Sequence, residues 1–91
     1  MEQPSADSVP CNRMDVRVRK FKGKVLVAAG DQAFELEDTA AFVYQQVDDT
    51  RTVREIGERL AAEYDVEPDV AVADAAELIA ELVRARALDV R

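Results

Sequence analysis

The chain has no histidine, no tryptophan, a single cysteine, and only three glycines and three prolines among its 91 residues. Each scarcity excludes something. Without histidine the commonest general base and the commonest metal ligand are missing. Cys11 alone can form neither an intramolecular disulfide nor a thiolate cage for zinc, and an unpaired cysteine suits a reducing compartment, so the cytoplasm is expected. Gly23, Gly30 and Gly57 stand apart and share no phosphate-loop or dinucleotide spacing. The apolar run from Val25 to Gly30 falls far short of the ~20 residues a membrane helix needs, so no membrane partner is expected. Met1 to Asp7 has neither a basic start nor an apolar stretch and does not read as a secretory signal.

Nucleophilic catalysis needs a Ser, Thr or Cys beside a base. Ser5, Ser8 and Cys11 all fall in the first fourteen residues, with no histidine anywhere to activate them. The acidic pairs Glu37–Asp38 and Asp48–Asp49 fall at helix ends, where carboxylates suit the helix dipole or a turn. No enzyme activity, cofactor or metal is expected of this chain.

What is present is charge, unevenly placed. Residues 1–30 carry six basic groups against three acidic, a surplus of +3, whereas residues 31–91 carry six basic against sixteen acidic, a deficit of −10. Such a split suggests surfaces with different electrostatic partners. Residues 1–14, with Pro4 and Pro10 and little apolar periodicity, read as a flexible arm. Residues 15–91 form the folded domain.

From Val16 the pattern turns to period two, with Val16, Val18 and Lys20 on one face and Arg17, Arg19 and Phe21 on the other. Lys22-Gly23 supplies a hairpin turn, Lys24 to Ala29 a second strand, Gly30-Asp31 another turn, and Gln32 to Leu36 a third strand. Phe34 and Leu36 share a face, the one expected to point inward. Three helices follow. The first runs from about Asp38 to Val47, with Asp38 or Thr39 as N-cap. The second opens on the capping box Thr52-Val53-Arg54-Glu55 and buries Val53, Ile56, Leu60 and Tyr64. Gly57 inside it costs roughly 1 kcal/mol against alanine, which close approach of a neighbouring element would offset. The third starts near Pro68 and reaches about Ala85. It carries two adjacent apolar lines: Ala75, Leu78 and Leu82 on one, Val72, Ala76, Ile79 and Val83 on the next. The fold class is α+β, a three-stranded antiparallel sheet followed by three helices, in the manner of a winged helix-turn-helix.

Two functional readings follow. As a winged helix the chain would bind DNA through its last helix, but Asp69, Asp74, Glu77 and Glu81 make that helix acidic, and phosphate would repel it. No nucleic-acid partner is expected. The other reading uses the exposed edge of the third strand. An open strand edge invites another strand, and a helix with spare apolar surface beside it makes a groove for an extended peptide. About four backbone hydrogen bonds at ~1 kcal/mol each, with two anchored side chains at ~2 kcal/mol each, exceed the roughly 2–5 kcal/mol cost of ordering the peptide. The same edge could pair with a second copy, giving a homodimer.

The run Phe34-Glu35-Leu36-Glu37-Asp38-Thr39-Ala40-Ala41-Phe42-Val43-Tyr44, then Arg51-Thr52-Val53-Arg54-Glu55-Ile56, then Leu60-Ala61-Ala62-Glu63-Tyr64-Asp65-Val66, resembles the PqqD family and the related precursor-recognition (RiPP recognition element) domains. Asp74, Leu78, Leu82 and Leu88 resemble its last helix and exit, and the likeness spans residues 16–90. Glu37-Asp38 replaces the usual Asn and its neighbour, and Ala87 the usual glycine. The resemblance implies a non-catalytic domain that captures the leader of a ribosomally made precursor peptide. It would present that leader to a maturation enzyme such as a radical-SAM protein, a leader peptidase or a cyclase. Carried onto this chain, the backbone of Gln32, Ala33, Phe34, Glu35 and Leu36 would bond the leader, and Val72, Ala76, Ile79 and Val83 would form the apolar wall. Arg17, Arg19 and Lys24 would steer an acidic leader toward the site.

Overall fold

The computed structural model describes residues 5–91. Eight elements follow in order: β1 (Pro10–Asn12), β2 (Val16–Phe21), β3 (Lys24–Ala29), β4 (Gln32–Leu36), α1 (Asp38–Gln46), α2 (Val53–Tyr64), α3 (Pro68–Arg84) and β5 (Leu88–Val90). The meander β2-β3-β4 and the three helices are as the sequence pattern predicts. Lys22 and Gly23 both take positive φ at the first turn, and Gly30 does so at the second, which lets each strand reverse through two residues. The register sets Val16–Ala29–Gln32, Val18–Val27–Phe34 and Lys20–Val25–Leu36 in rows across one face. Val25 and Val27 are fully buried under the helices on that face, and Phe34 and Leu36 point inward with them, half-buried.

The first segment departs from the expected arm. Pro10–Asn12 pairs antiparallel with Leu88–Val90, and Val9 and Arg91 extend the ladder by exchanging backbone bonds of 3.0 and 2.8 Å. Further back, the carbonyls of Ser8 and Ala6 accept from the N–H groups of Val53 and Arg54, both at 2.9 Å. Those donors open α2 and have no intrahelical acceptor, so the segment completes the helix start. Thr52 and Glu55 supply the rest of that start as a reciprocal capping box. Asn12 is tied in too, its backbone N–H donating to Asp49 at 2.7 Å and its side chain to the Val47 carbonyl at 3.1 Å. The partners lie 35 to 82 residues away, so no local pattern announces them. Residues 1–4 of the expected arm lie outside the described residues.

Two local expectations also shift. α1 takes Glu37 as its N-cap, with no side-chain cap, because that carboxylate is drawn to Lys24 at 3.4 Å. Tyr64 is 42% exposed instead of buried, and its ring meets Phe42 edge-on at 5.8 Å. The core lies between β3 and the helices, with Val43, Val53, Ile56, Ile79 and Leu88 fully buried. α2 and α3 make the most extensive contact between elements in the molecule. At Gly57 the two helices approach closely. A β-carbon there would lie 2.5 Å from the Val72 Cα. The absent side chain permits the close packing that the interior glycine suggests.

Candidate functional site

β4 is an edge strand, bonded to β3 on one side. Ala29 and Gln32 close a two-residue hairpin and so exchange hydrogen bonds with each other. Alternation then turns the N–H and C=O groups of Phe34 and Leu36 toward β3 and those of Ala33 and Glu35 outward. Four backbone groups, those of Ala33 and Glu35, therefore line the outer edge. The backbone groups of Gln32, Phe34 and Leu36, expected to bond a leader as well, are spent on β3, because antiparallel pairing alternates. The alternate residues Phe34 and Leu36 bring half-buried apolar side chains to the inner face of the same edge. Ala33 and Glu35 are exposed on the outer face.

On that outer face the rows Arg17–Ala28–Ala33 and Arg19–Leu26–Glu35 line a shallow concavity of about 480 Å³. Its floor is apolar, and two guanidinium groups stand on the far side from β4. Among the described residues no ion pair involves Arg17 or Arg19. β2 lies two strands, roughly 10 Å, from the open edge, so these arginines face the site across the sheet. Lys24 is placed differently. Its ammonium sits 3.3 Å from Glu35 and 3.4 Å from Glu37, and both carboxylates favour its charged form, Glu35 most.

The four α3 residues named as an apolar wall divide between core and surface. Ile79 is fully buried and Ala76 is 9% exposed, while Val72 and Val83 are half-buried. The physical reason is the line they share: it begins at Val72, which packs against Gly57, so α2 covers most of it. Val83, near the end of α3, belongs to the half-buried rim of the core, as do Phe34 and Leu36. The opposite side of α3 presents Asp74, Glu77 and Glu81 to solvent.

A second hollow, of about 390 Å³, opens at the end of the sheet. It joins the Gly30–Asp31 turn and Gln32 to Arg84, Ala85 and Arg86 at the end of α3, with Arg13 and Asp15 alongside. This brings the first residue of β4 and the last turn of α3 to one cavity. Arg84 and Arg86 lie outside the residues expected at the site. The one signal for them in the sequence is Arg-Ala-Arg closing an otherwise acidic helix. Among the described residues no group of His, Cys, Asp and Glu is placed to hold a metal ion, and no helix is long and apolar enough to cross a membrane.

The open edge on a small sheet and the three-helix layer behind it define the class: a winged-helix-like α+β domain with the fold of the RiPP recognition elements. The chain belongs to the PqqD family, matching the family of coenzyme PQQ synthesis protein D over residues 23–88. It is 33% identical over 90 residues to a PqqA binding protein of Xanthomonas oryzae pv. oryzae, spanning 97% of this chain and 98% of that one. It is similar in structure to the PqqD truncation of Methylobacterium extorquens PqqCD, a stand-alone RiPP recognition element. That likeness has a TM-score of 0.78 at 32% identity and covers 93% of each chain. A lasso peptide synthetase B1 complexed with its leader peptide is also similar, with a TM-score of 0.71 at 25% identity, covering 91% of this chain and 96% of the other.

Proposed function

We propose that this protein binds the leader segment of a PqqA-type precursor peptide by adding it as a further strand to β4. The observation that carries the reading is the row of outward backbone groups on Ala33 and Glu35, beside the half-buried Phe34 and Leu36. Backbone bonds at the edge would fix the peptide's register, and alternate peptide side chains would pack between β4 and the last turns of α3, where Val83 is half-buried. The PqqA-binding relative, which this chain matches nearly end to end, supports the choice of peptide. The work is presentation to a maturation enzyme, in the cytoplasm, with no reaction carried out on this chain's own side chains. The outer concavity with Arg17 and Arg19 stays open while the edge is occupied. It could steer an acidic peptide toward the site.

Ala33→Pro tests the strand. It removes an outward N–H while leaving the β3–β4 ladder bonds in place, an arrangement proline tolerates on an edge. Titration calorimetry against a synthetic PqqA peptide should show binding to the wild-type chain and none to the variant, with helical circular dichroism kept. Equal affinity in the two proteins would overturn strand addition.

A further inference from the structure

We infer that the hollow at the start of β4 is a recognition subsite for an acidic side chain of the bound peptide, with Arg84 and Arg86 as the groups that hold its carboxylate. The inference rests on strand addition to β4 and deepens it by naming a residue class within the peptide.

The charges around the hollow are not equally committed. Arg13 is taken, at 3.0 Å from Asp15 and 3.1 Å from Asp89. Asp15 is held by the same guanidinium, which lowers its pKa. Arg84 and Arg86 are exposed, and among the described residues no ion pair involves either. Asp31 is the remaining carboxylate on the lining, so two uncommitted cations face one anion. With Arg13 held by two carboxylates, Arg84 and Arg86 are the cations left to receive a carboxylate entering along β4. Guanidinium groups pair with carboxylates through two parallel N–H···O bonds, which gives the subsite geometric selectivity as well as charge.

A structural role explains one arginine better than the other. A cation in the last turn of a helix favours the dipole, and Arg84 stands there. Arg86 lies past the end. Its N–H donates to the Val83 carbonyl at 3.0 Å and the Ala87 N–H donates to the Leu82 carbonyl at 2.8 Å, the paired bonds of a Schellman cap. At φ 64 it occupies the left-handed position where glycine is ordinary. A long cationic residue at a glycine position, without an ion pair among the described residues, and aimed at a hollow beside the peptide edge, is what an acid-binding subsite requires. Position completes the case. Gln32 both opens β4 and lines the hollow. A strand added to β4 passes Gln32 at one of its ends, so a peptide residue there meets the two arginines.

The probe is the synthetic PqqA peptide of Xanthomonas oryzae, with each Asp and Glu replaced in turn by its amide and by Lys. Binding is measured by titration calorimetry at low salt. Arg86→Gly is expected to weaken the wild-type peptide about tenfold while raising the Tm by about 4 °C, because glycine relieves the left-handed residue. A purely structural arginine could not give opposite signs for affinity and stability. Arg84→Gln should weaken binding similarly. One peptide acid should lose the same factor on amidation in the wild-type protein and nothing further in Arg86→Gly, and Lys at that peptide position should restore binding to Arg86→Glu. Unchanged affinity in the Arg84→Gln/Arg86→Gly double variant, with the wild-type chain and not Ala33→Pro binding the peptide, would overturn the subsite and leave strand addition standing. No binding by the wild-type chain would overturn both.

Discussion

Gly57 of α2 and Val72 of α3 meet backbone to backbone, so closely that a β-carbon on Gly57 would lie 2.5 Å from the Val72 Cα and 2.6 Å from its Cγ2. This contact sets the spacing of the two helices behind the sheet. It also turns the apolar line beginning at Val72 toward α2, which fixes what α3 offers to the open edge.

Gly57→Ala should therefore destabilise the fold although alanine is the better helix former. The helical gain is about 1 kcal/mol, but the neighbour is backbone and cannot swing aside. Overpacking of this kind costs ~1–3 kcal/mol, and more is expected where two helices must part. Urea denaturation followed by circular dichroism should show a lower midpoint; an equal or higher one would contradict the close approach.

Ile79 distinguishes core from groove wall. It is fully buried, so Ile79→Ala should cost ~2–5 kcal/mol of stability. Val83→Ala, on the half-buried rim, should cost less and weaken PqqA peptide binding at temperatures where the fold persists. Should Ile79→Ala keep full stability and lose only peptide affinity, the helix would be turned differently from the packing described.

Asp48 gives a pH dependence with a definite sign. Its carboxylate accepts from the N–H groups of Arg51 and Thr50 and from the Thr50 hydroxyl at 2.8 to 3.0 Å, which lowers its pKa from 3.8 to about 2. A folded pKa below the unfolded one means that the stabilisation is present above about 3.8 and lost as the pH falls toward about 2. The stability difference between wild type and Asp48→Ala should be steady at neutral pH and close across that acid window. A gap that widened on acidification would exclude the turn as its source.

Arg17 and Arg19 stand across the sheet from the β4 edge, so their effect on an acidic peptide should be one of approach. Arg17→Glu/Arg19→Glu is expected to slow association severalfold at low salt and leave dissociation nearly unchanged, the pattern of electrostatic steering. Stopped-flow fluorescence with a labelled PqqA peptide separates the two rates. Equal association rates would remove the steering role.

Much of the fold was legible along the chain because its determinants are local. Alternating residues from Val16 to Leu36, turns at Lys22-Gly23 and Gly30-Asp31, the Thr52–Glu55 box and Pro68 at a helix start all act within a few positions. The strand at Pro10–Asn12 was not legible, because β5 and the α1–α2 connection hold it from far along the chain. Arg84 and Arg86 were equally hidden: a charge at a helix end has an ordinary explanation until a hollow is seen beside it.

Composition and periodicity by themselves determined an α+β chain with an open sheet edge, an acidic last helix and no histidine with which to build a catalytic base. Tertiary structure alone decided that both apolar lines of α3 supply core residues, where the cations gather, and that the first segment closes onto the last strand. The physical reason is reach. Propensity, turns and caps depend on neighbours in sequence, whereas burial and cavity shape depend on which helix the Gly57–Val72 contact brings against which.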